Sequence, residues 1–188
     1  QALRRDGARV GDDLWVSGTL GDARLALAAL RGEIDLPAEA LAQARQRLER
    51  PTPRLALGTA LRGIAHSAID VSDGLAGDVG HILKASQVGA AIEAVDASRL
   101  IAARALLTSV EGPFGLKSLL PFVLTGGDDY ELAFTAPPAA RAAVQAAAQR
   151  AATPVTRIGR IEAEPGLRLI DAHGRATPLA ARAFDHFA

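Results

Sequence analysis

Two short acidic clusters in this chain, residues 70–74 (DVSDG) and residues 126–131 (GGDDYE), contain the residue types that bind cations. Each cluster places carboxylates beside glycine, where the flanking sequence predicts the end or the beginning of a strand. Carboxylates that lie close together repel one another at neutral pH, so such a cluster usually accompanies a bound cation. A hard divalent ion with oxygen ligands is the usual candidate.

In the first cluster, Asp70 is predicted at the end of a short buried strand and Asp73 in the first turn of the next helix. Ser72 is predicted to cap that helix, because its hydroxyl can accept from a free amide. Amides at a helix start favour anions, so Asp70 and Asp73 would hold Mg²⁺ while Ser72 meets a phosphate oxygen. Simple compensation of the helix dipole explains Asp73 equally well. Asp78 is predicted to be an exposed helix residue.

In the second cluster, two glycines precede Asp128 and Asp129. Paired glycines permit a close approach of a ligand to the backbone, although a tight turn before a strand has the same composition. Aspartate is depleted in strands, so two adjacent aspartates at a strand entry favour a binding role. Asp128 is predicted to face the ligand. Asp129 and Glu131 are predicted either to face solvent or to pair with a base such as Arg54.

Other candidates for ligand contact are four arginines and one aromatic residue of the tail. The planar guanidinium binds two phosphate oxygens at once, although each arginine taken singly is equally consistent with an ordinary surface position. The aromatic residue is either a docked tail, which the residues alone favour, or a plate for a ring-shaped substrate. These candidates are Arg4, Arg5, Arg50, Arg54 and Phe184.

Composition narrows the classes of function. The 188 residues are 49% hydrophobic and 22% charged, which suits a folded domain with a proper core. The formal net charge of zero argues against broad attraction to nucleic acid or to an acidic membrane. The chain has no cysteine and its four histidines show no zinc-like spacing. No apolar run has membrane-spanning length and no signal-peptide pattern is present, so a cytoplasmic location is expected.

The start of the chain is unusual. It begins at Gln1, has no methionine, and opens within a basic segment that has the composition of folded structure. We therefore expect a piece of a longer protein, with a processed terminus as the alternative.

The elements that position these residues alternate between strand and helix. This order predicts an α/β domain, in which helices pack against a mixed sheet. The predicted strands are 13–19, 65–71, 89–95, 129–135, 155–161 and 167–170. The predicted helices are 22–31, 38–49, 55–62, 73–85, 97–107, 116–124 and 139–152, with a strand at 119–124 as the alternative.

Several strings, in the same order and spacing, resemble the thiamine-monophosphate kinase family, from about Arg5 to the last residue. They are RDGARVGD (5–12), VSGTLGD (16–22), RPTPR (50–54), SAIDVSDGL (67–75), GHILKAS (80–86), TGGDDYEL (125–132) and FDHF (184–187). The resemblance implies the two-domain fold shared with aminoimidazole ribonucleotide synthetase. It makes 13–188 the C-terminal domain and 1–12 the remnant of an interdomain connection. The absent N-terminal domain would bind Mg²⁺ and ATP and form most of a homodimer contact.

The resemblance also implies an activity, the ATP-dependent phosphorylation of thiamine monophosphate to thiamine diphosphate with Mg²⁺. The nucleophile would be an ionised phosphate oxygen, so no catalytic base is expected, and the isolated chain should be almost inactive. The implied roles are Mg²⁺ binding for Asp70 and Asp73, ATP binding for Arg5 and Ser72, and substrate binding for Asp128 and Phe184. Asp128 replaces a residue that is often glutamate in the family, and Phe184 one that is often tyrosine or tryptophan.

Three other interpretations compete with this one. The first is another ATP-using enzyme of the same superfamily, such as a selenophosphate synthetase or a hydrogenase-maturation dehydratase. The second is a nucleotide cyclase of the Gly-Gly-Asp-Glu-Phe type, which gives no role to the cluster at 70–74. The third is a truncated, non-catalytic domain.

Overall fold

The structure, a computed structural model, describes residues 2–107 and 116–179. Within these ranges the strands are β1 (Asp13–Ser17), β2 (Ser67–Val71), β3 (Gly89–Glu93), β4 (Glu131–Ala136), β5 (Val155–Glu162), β6 (Gly166–Ile170) and β7 (Ala176–Leu179). They form one sheet in the order β2-β4-β1-β5-β3-β6-β7. The β3 and β6 strands are parallel and the other neighbours are antiparallel, so the sheet is mixed, as predicted.

Helices pack on the sheet, which confirms the predicted α/β class. They are α1 (Asp22–Leu30), α2 (Ala38–Glu49), α3 (Leu55–Ala60), α4 (Leu75–Ser86), α5 (Ala94–Ala97), α6 (Arg104–Leu107), α7 (Leu116–Thr125) and α8 (Arg141–Arg150). Short 3₁₀ turns lie at Ser98–Leu100 and Pro138–Ala140. None of the helices within the described ranges is long and apolar enough to cross a membrane.

The core has two parts, one on each face of the sheet, because successive strand side chains point to opposite faces. In β1, Leu14 and Val16 enter the larger part, which α1, α4, α5 and α7 cover. Trp15 enters the smaller part, which α3 and α8 cover. There it stacks on Phe134 of the neighbouring strand, with the ring centroids 6.3 Å apart.

Long-range contacts change some predicted elements. The predicted helix 97–107 is broken, because the Asp22 carboxylate accepts the backbone amides of Ala102 and Ala103, and these amides are then lost to a helix. The strand predicted at 129–135 begins only at Glu131, since Tyr130 has a φ of +52°. Residues 119–124 are helical, and the edge strand β7 was not predicted.

Candidate active site

The two acidic clusters lie side by side. The β2 and β4 strands are antiparallel and Val71 pairs with Glu131, so the end of β2 meets the beginning of β4. The amide of Asp128 donates to the carbonyl of Ser72 at 2.9 Å, and the amide of Tyr130 donates to the carbonyl of Val71 at 2.9 Å. The two clusters, which contain the predicted site residues Asp70, Ser72, Asp73 and Asp128, are therefore neighbours in the fold.

Glycine makes this approach possible at residue 127. A Cβ atom there would lie 2.7 Å from the carbonyl oxygen of Ser72, closer than real Cβ contacts allow. Gly127 thus admits the backbone of the first cluster, which was not predicted. The two loops can touch only because this side chain is absent.

The first cluster is built differently from the prediction. Helix α4 begins at Leu75, and Gly74, with a φ of +117°, separates Asp73 from it. Ser72 is therefore not the helix cap, and Asp73 is not in the first turn. Asp78 is 4% exposed rather than exposed to solvent, and its carboxylate accepts the amides of Ser72 at 3.0 Å and Asp73 at 3.1 Å.

Charges in this cluster influence one another. Burial raises the pKa of Asp78, and the nearby charges of Asp73 and Asp70 raise it further, although the two amides oppose the shift. Asp70 is exposed and Asp73 is partly exposed. The buried carboxylate therefore holds the loop, while the two predicted metal ligands lie towards the solvent.

The donor set fits magnesium bound together with phosphate. Within residues 2–107 and 116–179, no group of three or more histidine, cysteine, aspartate or glutamate side chains could hold a metal ion by itself. Magnesium commonly takes one or two protein carboxylates and completes its shell with water and phosphate oxygens. Asp70, near the end of β2, and Asp73, in the loop that follows, are two such carboxylates.

In the second cluster, Asp128 and Asp129 have different environments. Asp128 is partly exposed and has a φ of +69°. Asp129 is fully buried, and its carboxylate accepts the amides of Gly21 at 2.7 Å and Ala23 at 3.4 Å. Burial raises the pKa of Asp129 to about 7, and the neighbouring charge of Asp22 adds to the shift. The prediction that Asp129 faces solvent or pairs with a base is wrong, because the start of α1 covers its carboxylate.

Glu131 is the centre of a buried polar cluster. Its carboxylate accepts from Arg54 Nε at 2.7 Å and Nη2 at 2.6 Å, which confirms the predicted pairing. It also accepts from Arg47 Nη2 at 2.6 Å and Ser17 Oγ at 2.6 Å. A Cβ atom at Gly18 would lie 2.1 Å from Glu131 Oε1, so that glycine leaves room for the carboxylate.

Sequence reasoning missed Arg47, Ser17 and Gly18 as members of this cluster. Arg47 lies 84 residues from Glu131 and has no local signal. The other two lie in the string VSGTLGD, whose conspicuous glycines were the available sign. Two of the strings, 16–22 and 125–132, thus pack against each other in the interior.

A cavity of about 1050 Å³ lies beside the exposed side of β2. Arg5 and Asp70 line it together, as do Arg54 and Tyr130. The N-terminal segment reaches this place because the carbonyl of Arg4 accepts the amide of Ala68 at 3.0 Å, alongside the edge of β2. The structure thus brings the predicted residue Arg5 to the same cavity as Asp70, whereas Phe184 lies outside the described residues.

Fold and site agree with one class of protein. Residues 9–172 match the family described as AIR synthase related protein, C-terminal domain, and the chain belongs to this family. Within it, the chain is similar to thiamine-monophosphate kinases. The enzyme of Salmonella typhimurium is 40% identical over 190 residues, which cover 100% of this chain and 56% of that protein.

Solved structures give the same result. The thiamine-monophosphate kinase from Stenotrophomonas maltophilia K279a is 43% identical, with a TM-score of 0.79 over 94% of this chain and 54% of that one. AaThiL complexed with AMPPCP and TMP is 30% identical, with a TM-score of 0.74 over 98% of this chain and 54% of that one. The resemblance expected from the sequence is confirmed. The chain spans about half the length of these relatives.

Proposed function

We propose that this chain is the C-terminal part of an enzyme that uses ATP and Mg²⁺ to convert thiamine monophosphate to thiamine diphosphate. The observation that carries the proposal is the junction of the two acidic clusters, where the amide of Asp128 bonds to the carbonyl of Ser72. The likeness to thiamine-monophosphate kinases over the whole chain supports this substrate over the other acceptors used in the superfamily. The complex of AaThiL with AMPPCP and TMP supports a phosphoryl donor and an acceptor in one site.

Each candidate residue has a role in this proposal. Asp70 and Asp73 hold Mg²⁺, which neutralises phosphate charge when it is bound. Ser72 and Arg5 bind the phosphates of ATP. Asp128 lies across the loop junction from them and contacts the acceptor. The role assigned to Phe184, which is outside the described residues, is binding of the thiamine ring.

The proposed reaction depends on positioning of the two substrates more than on a general acid or a general base. The attacking group is a phosphate oxygen that is already ionised at neutral pH, so no side chain of this chain has to remove a proton from it. The proposed site residues orient two phosphorylated molecules and offset their charges. The Asp78 carboxylate contributes by fixing the loop that follows β2, where Ser72 and Asp73 lie.

The experiment is a kinase assay with Mg²⁺-ATP and thiamine monophosphate on the natural protein that contains this chain. We expect Asp70→Asn and Asp73→Asn each to reduce turnover almost to zero, because each removes a negative oxygen ligand from Mg²⁺. Lys84→Ala, an exposed change on the neighbouring helix, is the control. Turnover near that of the wild type in both aspartate variants would exclude the proposed metal site. The 188-residue chain alone is expected to turn over almost no substrate, since it has about half of its relatives' length.

A further inference from the structure

Arg54 is a rigidly held arginine on the wall of the cavity. Its Nε and Nη2 bind the two oxygens of Glu131 at 2.7 and 2.6 Å, in the two-pronged geometry that fixes the guanidinium plane. Its side chain is 16% exposed, and the residue lines the cavity together with Asp70 and Tyr130. The side chain is thus ordered before any ligand binds.

The third nitrogen of this guanidinium, Nη1, is not used by the described residues. In the part of the chain that the structure describes, Nη1 of Arg54 has no hydrogen-bond partner. Arginine carries donors on all three nitrogens and stays charged at every physiological pH. A donor with little exposure gains most from an acceptor supplied by a ligand.

The charges near Arg54 favour an anion. Glu131 offers one negative charge to two guanidinium groups, those of Arg47 and Arg54. The Asp22 and Asp129 carboxylates also interact with Arg47, whereas Glu131 is the carboxylate that pairs with Arg54 within the described residues. The charged residues that line the cavity within the described ranges are Arg4, Arg5, Arg54, Arg62, Asp6 and Asp70. Arginines therefore outnumber aspartates, and Mg²⁺ on Asp70 would make the cavity still more positive.

We infer that Arg54 binds a phosphoryl group in this cavity and that Glu131 is the positioning residue that orients it. The chemical class of the ligand, a phosphate ester or anhydride, follows from the charge and the free donor of the arginine. Its identity as ATP or thiamine monophosphate rests on the proposed function. Arg47 differs from Arg54 in one respect that matters here. It binds the same carboxylate and is equally exposed at 16%, but it does not line the cavity.

This difference supplies a matched control. The experiment titrates inorganic pyrophosphate with Mg²⁺ into the isotope-labelled 188-residue chain and follows the amide resonances by NMR. We expect Arg54→Gln to raise the Kd at least about 10-fold, since a charged hydrogen bond is lost, and Arg47→Gln to leave it within about twofold. Both variants should lose a similar amount of stability, because both leave Glu131 short of one partner. Arg54→Lys should recover part of the affinity, because it keeps the charge without the fork.

Two results would overturn the inference. One is an equal loss of pyrophosphate affinity in Arg54→Gln and Arg47→Gln, which would give Arg54 a structural role alone. The other is an absence of pyrophosphate binding to the wild-type chain. Parallel titrations with ATP and with thiamine monophosphate identify the source of the phosphate, because Arg54→Gln should weaken the binding of the ligand whose phosphate Arg54 contacts. If Arg54→Gln weakened the binding of neither ligand, the inference would also be overturned. If pyrophosphate binding depends on Arg54 but the natural protein does not phosphorylate thiamine monophosphate, the site stands and the proposed function fails.

Discussion

Glu131 shows how much of the site depends on groups that a ligand does not touch. Its side chain is fully buried and shares two oxygens among Arg47, Arg54 and Ser17. Arg47 also donates to the carbonyl of Asp129 at 3.0 Å, so the same cluster holds the turn that carries Asp128. The orientation of Asp128, the residue proposed to bind the acceptor, thus depends on a carboxylate three positions later in the chain.

Replacing this carboxylate should be costly. Glu131→Gln leaves two largely buried guanidinium groups without their counter-charge, and we expect the free energy of unfolding to fall by about 3 kcal/mol. Urea unfolding followed by the fluorescence of Trp15 measures the change. The control is Glu49→Gln, because Glu49 also pairs with an arginine but is 49% exposed, and its loss should cost less than about 1 kcal/mol. Equal losses in the two variants would contradict this account.

Asp129 should make the free energy of unfolding fall as the pH rises, which is the opposite of the usual effect of an aspartate. Its folded pKa is about 7, because burial disfavours the charged form, whereas an unfolded aspartate titrates near about 3.9. Between these values the folded state retains a proton that the unfolded state has released. The stabilisation that comes from this retained proton is therefore complete below about pH 4 and is lost as the pH rises through about 7. Over this range the free energy of unfolding falls by up to about 1.4 kcal/mol per pH unit.

The test compares wild type with Asp129→Asn, which cannot take up that proton. Unfolding free energies from urea titrations between about pH 5 and pH 8 should fall more steeply in the wild type than in the variant. Taking the difference between the two proteins cancels titrating groups that do not interact with Asp129, such as Asp78. It does not cancel the coupled carboxylate of Asp22, whose charge acts on Asp129. Parallel curves for the two proteins would show that Asp129 is ionised throughout this range.

Elements with a clear hydrophobic period were predictable. The bounds of α2 agree with the prediction, and those of β1, β5 and α4 agree to within two residues, because the pattern of these segments reflects local packing. The break in 97–107 was not predictable, since it depends on Asp22, about eighty residues away. The prediction that Ser72 caps α4 was likewise wrong. The Asp78 side chain, from within the helix, accepts the amides of Ser72 and Asp73.

The hydrogen bonds from the Ser72 and Asp73 amides to Asp78 lead to a prediction for the loop before α4. Asp78→Ala removes the acceptor of the Ser72 and Asp73 amides, so hydrogen exchange at these amides should accelerate at least about 10-fold, since each lost bond contributes about 1 kcal/mol. Exchange in the middle of α4 should change much less. Lys84→Ala, at an exposed position of the same helix, should leave the loop amides unchanged. Unaltered exchange at both loop amides in Asp78→Ala would mean that the loop is held by other contacts.

For the whole molecule, the family and its fold were accessible from the sequence, because seven strings retain their order. The same strings point to the candidate site residues, whose place in the site and whose roles stay predictions. The meeting of the two clusters was not accessible, because it follows from the antiparallel pairing of β2 with β4 across sixty residues. The cavity beside β2 was not predictable either, since residues from five separate parts of the chain line it.

The two faces of the sheet should unfold together, because β1 and β4 contribute side chains to both. Ile82 of α4 is fully buried in the larger part of the core, whereas Trp15 lies in the smaller part on the opposite face. Ile82→Ala should lower the free energy of unfolding by about 2–5 kcal/mol through lost burial and the cavity it leaves. If the sheet couples its two faces, the fluorescence of Trp15 and the far-ultraviolet circular dichroism report the same shifted midpoint.

Leu55→Ala is the control for this test, because Leu55 is 78% exposed and its truncation should leave the midpoint nearly unchanged. A Trp15 transition that stays at the wild-type midpoint while the dichroism shifts would mean that the two faces unfold independently. The coupling matters for the site because Asp70 projects from β2 on the side of the cavity, whereas Asp78 anchors the adjoining loop from α4 on the other face. If the two faces unfold as one cooperative unit, Asp70 and Asp78 keep their relative positions. If they unfold independently, the loop could open while the cavity stayed formed.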